Sequence, residues 1–320
     1  MPAQPKISVL MPAYNAERFI SKAIESIVKQ TWSNIELLVM DDASKDDTVS
    51  VLKAFKDPRL KFFSNEKNLG YLKTCNKLFD LAQGDFIAFQ DADDYSDVVR
   101  LETQMQQFAQ DPQLAVCGTN LAAVHEDGTP LYCSMYFTTP EKITANMLEG
   151  GYSMIPNSFV FKREILTAIG KYNEYWDRIG AEDYYWAWLI MERYKLINIQ
   201  PALYYYRLNP QGITGDWSDN RRKLHNRQLL PWLFKTRAAT GTDPIEQKDW
   251  AALDSFIKQL DQPYLDDPSL YYREMAKRDF YSGNKKRALK LLLKGIGRSP
   301  FNSANFRDFF YYLRTRAHQH

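Results

Sequence analysis

The spacing of hydrophobic positions changes several times along the first ninety residues. Ile7–Met11 is a short apolar run with a β-branched bias, which predicts a buried strand. Phe19, Ile20, Ala23, Ile24, Ile27 and Val28 then recur at helical spacing, and Asn15 stands where an N-cap is expected. Ile35–Met40 predicts a second strand, ending in Asp41 and Asp42. A short helix over 48–55 and a strand over 60–63 follow. Leu72, Cys75, Phe79 and Ala82 mark a third helix, with Gly84 expected in the left-handed position just past its end. Phe86–Gln90 predicts a fourth strand that runs into Asp91-Ala92-Asp93-Asp94.

Strands alternating with helices imply right-handed crossovers and a parallel sheet, so the fold class is α/β. In such sheets ligands bind beyond the carboxyl ends of the strands. Both acidic clusters lie at such ends: Asp41 and Asp42 after strand two, Asp91, Asp93 and Asp94 after strand four. Residues 95–215 mix helices and short strands. Val98, Leu101, Met105 and Phe108 form one helical face, Ser158–Phe161 a strand, Arg163–Ile169 a helix stopped by Gly170, Tyr184–Tyr194 an aromatic-rich helix and Ala202–Arg207 a strand. From about Asn220 only amphipathic helices are predicted, and Tyr271–Leu293 resembles one helical hairpin.

Composition is that of an ordinary globular chain: 320 residues, 45% hydrophobic, 25% charged, net charge +2. Cys75, Cys117 and Cys133 are odd in number and lack CxxC spacing, which fits a reducing compartment. The apolar run near the N-terminus is too short for a signal peptide, and no stretch reaches the ~18–20 apolar residues of a membrane span. These observations predict a cytoplasmic protein. The charge is uneven: from Tyr271 onward twelve basic residues face three acidic ones, a net +9, with Phe306, Phe309, Phe310, Tyr311, Tyr312 and Leu313 among them. Basic helices bearing aromatics suit an anionic membrane surface, or form a solvated cap whose aromatics pack inward. No nucleic-acid reading motif is present, and no nucleic-acid partner is expected.

Two carboxylates at i and i+2 after a strand suit a hard divalent cation, Mg2+ or Mn2+, that also takes phosphate oxygens. The plainer alternative is a solvated turn capping the helix that starts near Asp97. Asp42 suits a base N–H or ribose hydroxyls, or an N-cap. Tyr14 suits stacking on a base, or a surface turn. Glu182 and Asp183 open the aromatic helix, where the helix dipole favours acids; one of them is otherwise a candidate general base. No GxGxxG turn and no GxxxxGK[ST] loop occurs, which disfavours a dinucleotide oxidoreductase and an NTPase. The four histidines lack metal-ligand spacing, and none receives a role.

Four stretches resemble family 2 of the glycosyltransferases, which has the GT-A fold: 7–48 (ISVLMPAYNAERF…DDASKDDT), 68–94 (NLGYLKTCNKL…FQDADD), 157–174 (NSFVFKREILTAIGKYNE) and 181–194 (AEDYYWAWLIMERY). The likeness covers about residues 5–215. It implies a Rossmann-like, mostly parallel sheet flanked by helices, with a C-terminal helical extension. The expected organisation is a GT-A domain over 1–218, with a nucleotide-binding half (1–95) and an acceptor half (96–218), then helices over 219–320. By resemblance, Pro12, Ala13 and Tyr14 line the nucleotide site and Asp42 binds the base. Asp91 and Asp93 form the DXD motif: Asp93 is the direct ligand of Mn2+ or Mg2+, Asp91 supports metal or ribose, and Asp94 is accessory. Glu182-Asp183 is the acidic dyad, with Asp183 favoured as base. Many relatives carry Tyr-Arg-x-His where this chain reads Tyr206-Arg207-Leu208-Asn209, so Asn209 replaces a histidine.

The resemblance thus implies an inverting, metal-dependent transferase. It moves a sugar from a nucleotide-sugar, with UDP-sugar favoured, to a glycan or lipid-linked acceptor in surface polysaccharide or lipopolysaccharide biosynthesis. The expected location is the cytoplasm, peripheral at the inner face of the membrane. A sugar-nucleotide nucleotidyltransferase and a non-catalytic nucleotide-sugar binding protein are the alternatives. Sugar, acceptor and linkage are not encoded in any motif.

Overall fold

A computed structural model describes residues 4–209, 221–281 and 283–315. The N-terminal half builds a parallel sheet. Strands β1 (Ile7–Ala13), β2 (Ile35–Asp41), β3 (Leu60–Ser64) and β4 (Phe86–Phe89) lie in the order β3-β2-β1-β4. Helices α1 (Ile20–Val28), α2 (Thr48–Ala54) and α3 (Tyr71–Leu81) are the crossovers between them. β1 and β2 are buried at every position, which is why they read as apolar runs rather than as alternating patterns. α1 turns Ile20, Ala23, Ile24 and Ile27 onto this sheet.

The second half extends the same sheet with strands of mixed direction. β5 (Tyr95–Ser96), α4 (Arg100–Gln110), β6 (Leu114–Val124), β7 (Pro130–Cys133), α5 (Pro140–Leu148), β8 (Val160–Lys162), α6 (Glu164–Ala168), α7 (Glu182–Met191) and β9 (Lys195–Arg207) follow in sequence. The sheet continues β4-β8-β6-β9-β5, and β7 pairs with β6. β8 runs antiparallel to both β4 and β6, β9 runs parallel to β6, and β5 runs antiparallel to β9. The turn carrying Asp91, Asp93 and Asp94 is therefore held between β4 on one side and, through β5, the end of β9 on the other.

Phe79, Phe89, Phe161, Tyr172 and Trp186 interlock with ring centroids 5.0–6.4 Å apart. This explains the aromatic content of α7. Each such pair contributes ~0.5–1.5 kcal/mol beyond its burial, and together they fix α7 on α3, β4 and β8. Trp186 Nε1 also donates to Gly170 O at 2.8 Å, and Trp188 stacks on Phe234 at 4.2 Å.

Three local expectations are corrected. α1 begins at Ile20, not beside Asn15; Asn15 instead takes a left-handed φ of 49° and ties the turn after β1 to Ser44 and Lys45. Gly84 is not a left-handed cap, because α3 ends in extended backbone at Ala82. Glycine is needed there for close approach: a Cβ would lie 2.6 Å from Ser8 N and 2.7 Å from Lys6 O. Val98 lies outside α4 and is exposed, because the helix starts at Arg100.

The chain divides into two compact units, one up to Lys235 and one from Thr236. The division falls within α8 (Arg221–Thr240), inside the helical extension expected from residue 219. The second unit contains α9 (Pro244–Gln247), α10 (Trp250–Asp266), α11 (Leu270–Tyr281), α12 (Lys285–Arg298) and α13 (Ser303–Arg314). α11 and α12 are the expected helical hairpin. With α13 they enclose Ala276, Phe280, Ala288, Leu292 and Tyr312.

Candidate functional site

The turn after β4 gathers three carboxylates. Asp91, Asp93 and Asp94 each offer an oxygen within 4.8 Å of the others. Among the described residues, no other group of three or more carboxylate, histidine or cysteine ligands comes this close. Asp94 is buried, and its Oδ2 has no hydrogen-bond partner. Burial raises all three pKa values. Asp91 is pushed up to about 7, first by burial and then by the charge of Asp93, while Asp94 is held well above the carboxylate range by burial and by both neighbours. For Asp93 burial outweighs the bond from Asn209 and the charge of Arg207. An all-oxygen, mutually repelling set with an unpaired buried oxygen fits a hard divalent cation.

Neutral side chains and Arg207 hold this turn in place. The Tyr71 hydroxyl donates to Asp91 Oδ1 at 3.2 Å, and Asn157 Nδ2 donates to Asp91 Oδ2. The Asp91 backbone N–H donates to the Tyr204 hydroxyl at 3.2 Å. Asn209 Nδ2 donates to Asp93 Oδ2 at 3.1 Å. The Arg207 backbone N–H donates to Asp94 Oδ1 at 2.7 Å, and its Nε donates to the Asp93 carbonyl at 2.8 Å. Beneath the turn, Arg100 is fully buried; its guanidinium donates to Phe89 O and lies 5.4 Å from the Tyr204 ring. Burial lowers its pKa to about 10, so it remains a cation at neutral pH.

The end of β2 faces the same side of the sheet. Asp42 Oδ1 accepts from Leu69 N and Asn65 Nδ2, and Oδ2 accepts from Gly70 N, all at 2.8 Å. A carboxylate has about four acceptor positions, so one remains beyond these three. Asp42 thereby shapes the 65–70 loop, and that loop delivers Tyr71 to Asp91. Gly70 has φ +90°, a conformation glycine adopts without strain. Pro12 and Ala13 end β1 in register with Met40 and Asp41, both buried, while the following Tyr14 exposes 45% of its surface.

Glu182 and Asp183 open α7. The preceding segment holds three positive φ values, at Arg178, Gly180 and Ala181. Non-glycine residues so held cost ~1–3 kcal/mol each, and surrounding contacts sustain them. Asp177 pairs with Lys73 at 2.7 Å, and Arg178 donates to Asn68 at 3.3 Å, so the segment is pinned to the 65–70 loop and the first turn of α3. Burial pushes Asp183 up to about 6 and, with the charge of Asp183, pushes Glu182 up to about 8. The charge of Asp91 raises Glu182, and the charge of Asp183 raises Asp91, so the dyad and the acidic turn share one electrostatic environment. Burial and the mutual charge hold protons on this pair more tightly than on free carboxylates, which brings the pair toward the range where one member can take a proton near neutral pH.

Sequence reasoning missed Tyr71, Asn157 and Tyr204. Tyr71 lies inside the NLGYLK stretch, and Asn157 opens the NSFVF stretch, so both lay within visible signals. Tyr204 sat inside an aromatic strand with nothing to separate it from core residues.

Comparison with known proteins fits this geometry. Residues 8–170 match the family described as Glycosyl transferase family 2. The chain is 32% identical over 224 residues to an Escherichia coli UDP-Glc:alpha-D-GlcNAc-diphosphoundecaprenol beta-1,3-glucosyltransferase, WfgD, covering 69% of this chain and 83% of that one. It is 37% identical over 131 residues to the putative glycosyltransferase EpsE of Bacillus subtilis, covering 40% of this chain and about half (47%) of that relative. The crystal structure of S. aureus TarS 1-349 in complex with UDP-GlcNAc superposes with a TM-score of 0.61 at 20% identity, over 97% of this chain and 92% of that one, which establishes a shared fold.

Proposed function

The chain belongs to glycosyl transferase family 2, and from that premise we propose that it is an inverting, metal-dependent transferase of a sugar from a UDP-sugar. The acceptor is a hydroxyl of a glycan or lipid-linked glycan used in surface polysaccharide assembly. The observation that carries this reading is the acidic turn: three crowded carboxylates, one with an unpaired buried oxygen, sharing an acidic environment with a buried dyad whose pKa values are raised. UDP is favoured because WfgD is named for UDP-Glc and the superposed TarS structure holds UDP-GlcNAc.

In this reading Asp93 and Asp91 hold Mn2+ or Mg2+, with Asp94 completing the acidic wall. When bound, the cation supplies Lewis-acid neutralisation of the diphosphate leaving group. Tyr71 and Asn157 fix the Asp91 carboxylate, and Asn209 fixes that of Asp93. Tyr14 covers the base, which lies over the ends of β1 and β2 beside Pro12 and Ala13. Asp42 contacts the base through its remaining lone pair and holds the 65–70 loop. Asp183 takes the proton from the acceptor hydroxyl as that oxygen attacks the anomeric carbon. The attack comes opposite the departing nucleoside diphosphate, so configuration inverts in a single displacement. Glu182 keeps its proton and spares Asp183 a second adjacent charge.

Calorimetric titration of UDP with and without Mn2+ tests this reading. UDP binding that requires the metal, and that Asp93→Asn abolishes, supports it. Metal-independent binding, or binding unchanged in the variant, overturns the metal assignment. Failure of UDP to bind with metal present overturns the uridine assignment.

A further inference from the structure

The unit from Thr236 onward carries a feature the transfer chemistry does not use. α13 is buried on one face only. Asn305 and Tyr312 point inward, Tyr312 stacks on Phe280 at 4.3 Å, and Phe309 packs on the same cluster. Asn302 caps the helix by accepting from Ala304 N. Lys285 donates to the carbonyls of Leu313 and Thr315 and closes its other end. The helix is thus folded and anchored without its outer face.

That outer face is apolar. Phe306, Phe310 and Leu313 stand at i, i+4 and i+7, a single stripe along a helix, and they are 40%, 49% and 49% exposed. Phe301, just before the helix, is 99% exposed. Arg307 and Arg314 are exposed on the flank of the stripe. The single acid of α13, Asp308, is drawn toward Arg273 and Arg307. Large aromatic side chains presented this openly are costly in water unless something covers them. The surroundings say what that is: the stripe sits in a segment of net +9. An apolar partner surface alone would have no need of that charge, and a polynucleotide stacking on the aromatic rings would leave the aliphatic Leu313 of the stripe without a partner. A bilayer interface with anionic headgroups matches both, with aromatics entering the headgroup–acyl boundary and arginines remaining among the phosphates. Among the described residues no helix is long and apolar enough to cross a membrane, so the contact is one of lying on the surface.

We propose that the outer face of α13, with Phe301, is a docking surface for anionic phospholipid bilayers. The inference is independent of the transfer reaction and stands whether or not UDP is the donor nucleotide.

The test is co-sedimentation of the full chain with vesicles of phosphatidylcholine alone and of phosphatidylcholine mixed with phosphatidylglycerol, at low and high salt. The expected result is partition onto the phosphatidylglycerol vesicles only, weakened by salt. The double variant Phe306→Ser/Phe310→Ser should lower that partition by roughly tenfold or more, and Arg307→Gln/Arg314→Gln should lower it and flatten its salt dependence. Both variants replace exposed side chains, and unchanged thermal unfolding verifies that each is folded. Because the two pairs differ in chemistry, either one, if folded, suffices for the test. Absence of partition by the wild-type chain, or partition unchanged in a folded variant, overturns the proposal. So does self-association of the free chain that the phenylalanine variant abolishes while vesicle binding persists, which would assign the stripe to a second copy.

Discussion

Asn209 Nδ2 donates to Asp93 Oδ2 at 3.1 Å, across 116 residues of sequence. The position where the family resemblance leads one to expect histidine is therefore in direct contact with the proposed metal ligand. An amide donor orients the carboxylate without adding charge. Removing a hydrogen bond that orients a metal ligand typically costs ~10–100-fold in metal affinity. Asn209→Ala is accordingly expected to weaken Mn2+ binding in the presence of UDP by that range, read by calorimetry. Affinity unchanged within a factor of two would show that Asp93 needs no such support.

As the proposed base, Asp183 would set the acid limb of the reaction. Burial raises its pKa to about 6 from an ordinary 3.8. A base works deprotonated, so turnover should rise through pH about 6 and be lost below it, rather than persisting to pH 4. Asp183→Asn is expected to cut kcat by ~10^2–10^4-fold while leaving UDP binding intact. A wild-type limb near pH 4, or a variant with nearly full kcat, would remove Asp183 from the role of base.

Much of the N-terminal half was legible because β1 and β2 are buried on both faces, and such strands announce themselves as apolar runs ending abruptly in polar residues. Ile7–Ala13 and Ile35–Asp41 behave in this way, and Asp42 and Asp91 could be placed at strand ends before any contact was known. β6 hides the same environment under a mixed composition. It buries Thr119 and Asn120, which are satisfied by Pro201 O, Gln200 O and the Tyr136 N–H. Those partners are tertiary, so the strand does not read as one from local pattern. β5 spans two residues and exists only because β9 pairs with it. Within the site, the carboxylates were visible, but of the neutral side chains that aim them only Asn209 was. Asn157 and Tyr204 meet Asp91 from 66 and 113 residues away, and uncharged side chains carry no signal of such a meeting.

Gly84 is irreplaceable for steric rather than conformational reasons. A Cβ at this position would fall 2.6 Å from Ser8 N, 2.7 Å from Lys6 O and 2.8 Å from Phe86 O, all backbone atoms that cannot swing away. Overpacking of this kind costs ~1–3 kcal/mol and sometimes more, so Gly84→Ala should lower Tm by roughly 4–10 °C. Gly297, inside α12, has open space at its Cβ and no positive φ. Gly297→Ala is the matched control, expected to be neutral or stabilising by up to about 1 kcal/mol. Equal effects of the two substitutions in a thermal melt would contradict the steric account.

Glu36 ties the start of β2 to β1 and β3 at one end of the parallel sheet and sets its acid stability. Its buried carboxylate accepts from Ser8 Oγ at 2.6 Å, Lys61 Nζ at 2.8 Å, Lys6 Nζ at 2.9 Å and Gln83 N at 3.0 Å. Burial alone would raise its pKa, but these four bonds outweigh it and hold the group at about 2, below an ordinary 4.5. A depressed carboxylate contributes stability above its unfolded pKa and loses it as pH falls through the folded one. The contribution is therefore full above about pH 5 and disappears between there and pH 2. Both lysines are partly exposed, 34% and 46%, so solvent screens the pairing. After that discount about 1–2 kcal/mol remains at neutral pH. Glu36→Gln should lose about that much at pH 7 and show a shallower decline toward acid than the wild type. Urea unfolding at pH 7 and at pH 3 measures both. If the two proteins differ by the same amount at each pH, the carboxylate's charge is not what stabilises this end of the sheet.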